Sequence, residues 1–353
     1  MNYYHYIMAF LTAFGVVLFA TPSLIKVAKL KHLVDEPSEE RKMHHSSIPT
    51  IGGIMIFSAF LFSCFLWFPD DTNSAEIISP FLLLMASLVL LFFVGVKDDI
   101  IGMSPTKKLV AHFIVGFILV AMGGIKITSM HGVFGIDVIF PEYAQLLISI
   151  FVYIVVVNSI NLIDGVDGLA SGIGLIASVV FGIWFYFAGA PHWALVSFAL
   201  AGALFGFLIF NFNPARIFMG DSGSLTIGAI LSVLTIQLIE TPTDFLKGYF
   251  ANISTPIFAI AILAYPLLDT LRVFVSRALK GKSPLTADRN HLHHKLQDKG
   301  YGHKRTVSFI YLFNIIIIGF AALWPTQYPT ITFSVCAIFS ILFIIFSVYP
   351  RKK

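Results

Sequence analysis

Apolar runs of about twenty residues follow one another along most of the chain, and few folds accommodate this pattern. A transmembrane helix needs about 20 such residues, whereas a barrel strand shows only about ten with alternating polarity. The chain is also 57% hydrophobic and only 12% charged, which lies outside the composition of soluble domains. The sequence therefore predicts an all-α polytopic membrane protein.

The apolar lengths predict about eleven transmembrane helices in one integral membrane domain over residues 1–353. They cover approximately 4–26, 51–68, 77–96, 108–124, 143–160, 169–189, 192–212, 222–240, 252–275, 307–325 and 329–349. Segment 125–142 has two short alternating stretches around Gly132 and Gly135. This pattern predicts a small external β-hairpin.

The distribution of basic residues predicts the orientation. With the C-terminal basic residues 351–353 in the cytoplasm, 21 of the 23 Lys and Arg fall on that side, and only Lys126 and Lys247 lie outside. The positive-inside rule then places the N-terminus outside and the C-terminus in the cytoplasm. Most of the acidic residues at span ends fall on this cytoplasmic face, where we expect the catalytic site.

The densest polar cluster is NSINLIDGVDG at 158–168, directly after the apolar run FVYIVVV. Its four polar residues recur every third position: Asn158, Asn161, Asp164 and Asp167. On an α-helix this spacing fans side chains over about half of the circumference. The two glycines of the cluster disfavour an uninterrupted helix, so we expect a helix end that opens into a loop.

Two further clusters lie at span ends. In VKDDIIGMSPTKK, Asp98 and Asp99 precede Lys107 and Lys108. Adjacent carboxylates repel each other unless a cation lies nearby, although a solvated loop with weak surface ion pairs accounts for them equally well. In NFNPARIFMGDSGSL, Asp221 begins a span, where helix amides favour anions and where an N-cap is the simpler explanation.

The longest cytoplasmic loop carries His291, His293 and His294 beside Arg289 and Lys295. The histidine spacing lacks the i, i+4 pair of a helical zinc site, and no cysteine is nearby. Histidines among basic residues suit phosphate groups, whereas contact with anionic lipid is the alternative.

Asp269, three residues before Arg272, allows an i, i+3 pair and needs no further role.

Carboxylates and amides from three separate span ends, with surplus basic residues, are what a metal-assisted phosphate site requires. The oxygens suit Mg²⁺, and the basic groups neutralise phosphate charge. Interpretations from other classes are a lipid or ion transporter, whose polar groups belong nearer to mid-membrane, and a non-enzymatic membrane anchor. We expect no nucleic-acid partner.

Four motifs in this order, VKDDIIG, NLIDGVDGLASG, RIFMGDSGSL and RNHLHHKL, resemble the polyprenyl-phosphate N-acetylhexosamine-1-phosphate transferases. RKMHHSSIPTIGG fits the opening motif of that family, so the resemblance covers about residues 35–300. It implies a multi-pass enzyme of the bacterial cytoplasmic membrane that depends on Mg²⁺, with Mn²⁺ as an alternative ion. Such enzymes move a sugar-1-phosphate from a UDP-sugar to a polyprenyl phosphate and release UMP; homodimer formation is a family expectation.

The histidine motif resembles the bacterial branch that starts O-antigen, common-antigen or teichoic-acid linkage synthesis. The resemblance therefore implies transfer of N-acetylglucosamine-1-phosphate from UDP-N-acetylglucosamine to undecaprenyl phosphate. Transfer of phospho-N-acetylmuramoyl-pentapeptide ranks second, because that branch has a different histidine stretch, and another UDP-N-acetylhexosamine is a further alternative.

The resemblance also implies roles for individual residues. Asp98 and Asp99 would be catalytic residues near the lipid phosphate, and Asp221 and Asn161 would hold the Mg²⁺. The implied substrate-binding residues are Lys108, Asn158, Asp164, Asp167, Phe218, His291, His293 and His294.

Overall fold

Helices, most of them apolar, make up most of the computed structural model, which describes residues 3–35, 48–68, 75–242, 246, 248–281, 290–323 and 328–349. The α-helices in these ranges are α1 (Tyr4–Leu30), α2 (Gly53–Leu66), α3 (Ala75–Ile101), α4 (Pro105–Phe117), α5 (Glu142–Leu162), α6 (Leu169–Phe187), α7 (Pro191–Asn211), α8 (Gly220–Glu240), α9 (Thr255–Ile262), α10 (Ala264–Leu279), α11 (Leu292–Asp298), α12 (His303–Leu323) and α13 (Pro329–Val348). A short antiparallel pair joins β1 (Val34–Asp35) to β2 (Ile48–Pro49).

The helix lengths confirm a polytopic membrane protein. Within the described ranges, nine helices are long and apolar enough to cross a membrane, and the bent pair α9–α10 would make ten. The remaining predicted span, 51–68, contains α2 with only 14 helical residues. At 1.5 Å per residue, α2 is about 21 Å long and falls short of a hydrocarbon core of about 30 Å. The structure thus differs from the expected eleven full spans.

Helix α8 forms the centre of the bundle. Nearly all of its residues are buried, and it packs against α2, α3, α5, α6, α7 and α9. Small residues at its surface allow the neighbouring backbones to approach closely, which is a common basis of helix packing in membranes. At Gly228, an added Cβ would lie 2.8 Å from the Cα of Val157 on α5.

The 78° bend between α9 and α10 leaves backbone groups without helical partners, and one side chain satisfies them. Asn314 of α12 accepts the N–H of Tyr265 at 3.0 Å and donates to the carbonyl of Ile262 at 3.0 Å. Unsatisfied backbone groups are costly inside a bilayer, so Asn314 stabilises the break between the two helices.

The expected hairpin at 125–142 does not form as a pair of strands. Residues 133–135 make a short 3₁₀ turn, and the N–H of Phe140 donates to the carbonyl of Thr128 at 2.8 Å. Other backbone groups bind side chains: the Thr128 N–H donates to Glu240 at 2.9 Å and the Ile127 N–H to Ser149 at 2.8 Å. These bonds take the place of a strand ladder.

The close approach of α5 and α8 predicts opposite effects of the same substitution in two helices. Gly228→Ala should lower the melting temperature in detergent, because the added methyl meets the Val157 backbone. Overpacking of this kind costs about 1–3 kcal/mol. Gly319→Ala in α12 is the matched control, since nothing lies within 4 Å of its added Cβ and alanine favours a helix. Equal melting temperatures for the two variants would contradict the tight contact.

Candidate active site

The N-terminus of α8 is capped by a carboxylate from another helix. Asp99 of α3 accepts the N–H of Asp221 at 2.6 Å and the N–H of Ser222 at 3.0 Å. The first N–H groups of a helix lack helical partners, and the helix dipole favours negative charge there. The N-cap explanation for Asp221 is therefore wrong, because Asp221 lies inside the helix and Asp99 supplies the cap.

Gly220 makes this cap sterically feasible. Its φ is +71°, and an added Cβ would lie 2.7 and 2.8 Å from the two carboxylate oxygens of Asp99. A residue with a side chain would be strained at this φ and would push the carboxylate away from the helix end.

A lysine joins two carboxylates at the same place. The ammonium of Lys108 contacts Oδ2 of both Asp98 and Asp221. Asn161 Nδ2 donates to Asp221 Oδ1 at 3.0 Å and lies 2.9 Å from Ser224 Oγ. The ends of α3, α4, α5 and α8 therefore meet in one charged cluster. A solvated loop no longer accounts for Asp98, whose side chain is only 12% exposed.

The donor set of this cluster fits a cation that shares its coordination with a substrate. Within the described residues, no three Asp, Glu, His or Cys side chains are arranged to hold a metal ion. Mg²⁺ does not need such a cage, because it commonly takes one or two carboxylates plus substrate phosphates and water. Asp221 offers a carboxylate. Asn161 presents its nitrogen to Asp221, so it would offer its oxygen only with the amide turned over.

The polar side chains at 158–168 contact different partners. Asn161 reaches Asp221, whereas the Nδ2 of Asn158 donates to the Ile154 carbonyl of its own helix at 2.7 Å. Within the residues that the structure describes, Asn158 has no hydrogen bond to the charged cluster. The cluster therefore does not include every member of the predicted set.

Asp167 holds the neighbouring loop in place. Its Oδ2 accepts the Nδ2 of Asn213 at 2.8 Å and the N–H of Ala215 at 3.1 Å. The same loop carries the half-buried Phe218, whose N–H donates to Pro49 at 2.7 Å. Two of the implied substrate-binding residues, Asp167 and Phe218, therefore lie on two loops that Asp167 joins.

Asp164 is placed among negative charges. Burial raises the pKa of its carboxyl well above the usual range, and the charges of Asp221, Asp99 and Asp167 raise it further. No hydrogen bond reaches this carboxylate from the described part of the chain. Asp164 thus destabilises the fold when it is ionised, a cost that is typical of residues kept for function.

Two of the histidines, His291 and His293, lie near a buried carboxylate on α10. Asp269 Oδ2 lies 2.8 Å from His291 Nδ1, and Asp269 Oδ1 accepts the N–H of Leu292 at 2.8 Å. The expected pair with Arg272 is longer, at 3.9 Å. Sequence reasoning missed the contact between Asp269 and His291, because 22 residues separate them in the chain.

The histidine segment lies against the loop at 158–168. The Nε2 of His293 is 3.8 Å from the position that a Cβ on Gly165 would take, and its Nδ1 is 3.3 Å from the Tyr265 hydroxyl. Burial lowers the pKa of His293 to about 3, against an opposing effect of Asp269. His293 is therefore neutral at ordinary pH. The half-buried His294 packs its ring edge-on to that of His293, with ring centroids 4.3 Å apart.

His112 is a second residue that sequence reasoning missed. It is buried one helical turn after Lys108 on α4. The i, i+4 spacing from Lys108 is the signal that points to this placement.

Known proteins share much of this sequence. The model of glycosyl transferase family 4 matches residues 81–239. The decaprenyl-phosphate N-acetylglucosaminephosphotransferase of Mycolicibacterium smegmatis is 30% identical over 328 residues, covering 88% of this chain and 80% of the relative. The chain belongs to this transferase family. The undecaprenyl-phosphate alpha-N-acetylglucosaminyl 1-phosphate transferase of Escherichia coli is 30% identical over 306 residues, covering 84% and 79%.

These matches confirm the family resemblance of the four motifs, and the protein is a sugar-phosphate transferase. The match to glycosyl transferase family 4 includes the charged cluster and the loop at 158–168 but ends before the histidines.

The surroundings of Asp164 and Asp167 predict opposite stability changes for Asp→Asn in this transferase. When folding raises the pKa of a carboxyl group, the folded protein loses stability as the pH rises above the unfolded pKa of that group, about 3.9. Asp164→Asn should therefore raise the melting temperature at pH 7.5, measured with chelator present, by about 1–3 °C. Asp167→Asn should lower it, because its charge-assisted hydrogen bonds weaken. Shifts in the same direction would contradict these placements.

Proposed function

We propose that this transferase moves N-acetylglucosamine-1-phosphate from UDP-N-acetylglucosamine to undecaprenyl phosphate. The products are undecaprenyl-diphosphate-N-acetylglucosamine and UMP, and the reaction is the first membrane step of a cell-envelope polysaccharide. The names of its relatives support the substrates, and the joined cluster of Asp98, Lys108, Asn161 and Asp221 is the structural observation that carries the proposal.

The protein lies in the bacterial cytoplasmic membrane with its N-terminus outside and its C-terminus in the cytoplasm. The bias of basic residues supports this orientation. It puts the charged cluster at the cytoplasmic face, where UDP-sugars are found.

The proposed reaction is a direct displacement at phosphorus, and a covalent phospho-enzyme intermediate is the alternative. An oxygen of the lipid phosphate attacks the β-phosphorus of the UDP-sugar, the bond to the bridging oxygen breaks, and UMP leaves with that oxygen. Lys108 offsets negative charge on the reacting phosphates, and Asp98 holds the Lys108 ammonium in place. When bound, Mg²⁺ would be held by Asp221 with Asn161 and would stabilise charge on the leaving phosphate.

The lipid phosphate has little need of a general base. A phosphate monoester has a second pKa of about 6, so it is largely deprotonated at neutral pH. Asp98 is already engaged by Lys108, which favours a role in placing the ammonium over a role in accepting a proton.

Release of UMP tests the function directly. Purified protein with undecaprenyl phosphate, UDP-N-acetylglucosamine and Mg²⁺ should release UMP, and chelator should abolish the release. Asp221→Asn should lower the rate at least about 100-fold, as expected for loss of a group that stabilises transition-state charge. Asp137→Asn is the matched control, since Asp137 is exposed and outside the charged cluster.

No UMP from any UDP-N-acetylhexosamine, including UDP-N-acetylmuramoyl-pentapeptide, would refute the function. Lipid or ion flux without UMP would support a transporter. Retained activity in Asp221→Asn would refute the metal assignment alone.

The pH dependence of the rate distinguishes two candidate roles of Asp98, which are to place the Lys108 ammonium or to accept a proton. We expect Asp98→Asn to lower the rate about 10- to 100-fold, because Lys108 loses a charged partner. The pH–rate profile should keep the shape of the wild type. A steep wild-type profile that becomes flat in the variant would instead identify Asp98 as the general base.

A further inference from the structure

We propose that Asp269 is a positioning residue for the transfer reaction, which it serves by fixing the ring of His291 at the edge of the active site. This inference rests on the proposed function for its kinetic test. Asp269 is fully buried, although it lies on a helix of the membrane bundle. An ionisable residue in such a place is costly and therefore points to function.

The contacts of Asp269 are directed at one segment. One carboxylate oxygen accepts from the ring of His291 and the other accepts the backbone N–H of Leu292, each at 2.8 Å. The carboxylate thus fixes both the ring and the main chain at the start of α11. The more distant Arg272, at 3.9 Å, adds charge compensation but does not take either oxygen at hydrogen-bonding distance.

This geometry decides which nitrogen of His291 is available. An ionised carboxylate only accepts hydrogen bonds, so the Nδ1 of His291 carries the proton in this contact. The Nε2 at the opposite edge of the ring has no hydrogen bond with the described residues. A histidine held in this way by a carboxylate presents Nε2 in a fixed orientation, as seen for metal-bound and catalytic histidines.

The surrounding structure places this arrangement next to the loop at 158–168. Tyr265, one helical turn before Asp269, places its hydroxyl 3.3 Å from His293. His293 in turn packs beside Gly165 in the loop at 158–168. The rings of His291 and His293 are nearly parallel, with centroids 5.3 Å apart. Fixing His291 therefore fixes a ring that stacks on His293, and His293 borders the loop that carries Asp164.

A purely structural role for Asp269 makes a different prediction. If the carboxylate only stabilises the bundle, its loss lowers activity regardless of the residue at position 291. If it acts through His291, its loss matters only while that histidine is present. A double-mutant cycle distinguishes the two cases.

The cycle uses Asp269→Asn, His291→Gln and the double variant, with kcat and KM measured from UMP release. Asparagine keeps the volume but offers an N–H to His291, which reverses the tautomer. We expect Asp269→Asn to lower kcat/KM about 10- to 100-fold in the wild-type background. In the His291→Gln background the same change should cost less than about 3-fold. Independent losses that multiply would overturn the proposal.

Hydrogen exchange supplies a readout that does not depend on activity. In the full-length protein in detergent, amides of residues 290–299 should exchange faster in Asp269→Asn, because the Leu292 N–H loses a charged acceptor. Amides of α8 serve as the internal control and should not change. Unchanged exchange at 290–299 would overturn the positioning role. Absence of UMP release by the wild type would instead count against the proposed function, so the two failures are distinguishable.

Discussion

The contact of the Lys108 ammonium with the carboxylates of Asp98 and Asp221 is the interaction on which the site depends. Two neighbouring carboxylates at a membrane helix end repel each other, and an unpaired charge there is costly. The ammonium of Lys108, from a third helix, offsets both the repulsion and the cost of an unpaired charge. Because the three residues come from α3, α4 and α8, those helices must end at the same level. The capping of α8 by Asp99 adds a second requirement in the same place.

The core of the bundle meets these requirements through close packing around α8. Gly228 lets α5 approach α8, and Gly220 leaves space for the Asp99 carboxylate. Bringing backbones together in this way fixes the relative heights of helices, since a shift along the axis would remove small residues from their contacts. The position of Asn161 on α5 relative to Asp221 on α8 follows from that fixed height. The packing of the helices therefore also sets the geometry of the charged cluster.

Local sequence features were sufficient to predict most of the helices and part of the site. The lengths of the apolar runs predicted the spans. The three-residue spacing predicted a fan of polar side chains, and one of them, Asn161, contacts Asp221. Contacts between distant residues could not be predicted in the same way. Asp99 caps an amide 122 residues away, and Glu240 binds Thr128 across 112 residues, replacing the expected hairpin. The bend before Tyr265 depends likewise on a partner from another helix.

The histidines enter the site from the last third of the chain, and this has a consequence for synthesis in the membrane. When α1 to α8 have been inserted, a growing chain already contains Asp98, Lys108 and Asp221. It still lacks Asp269, His291 and the contact of His293 with Gly165. The break stabilised by Asn314 forms later still, because that residue lies on α12. A ribosome-bound chain therefore holds an incomplete site until nearly all of its helices have left the translocon.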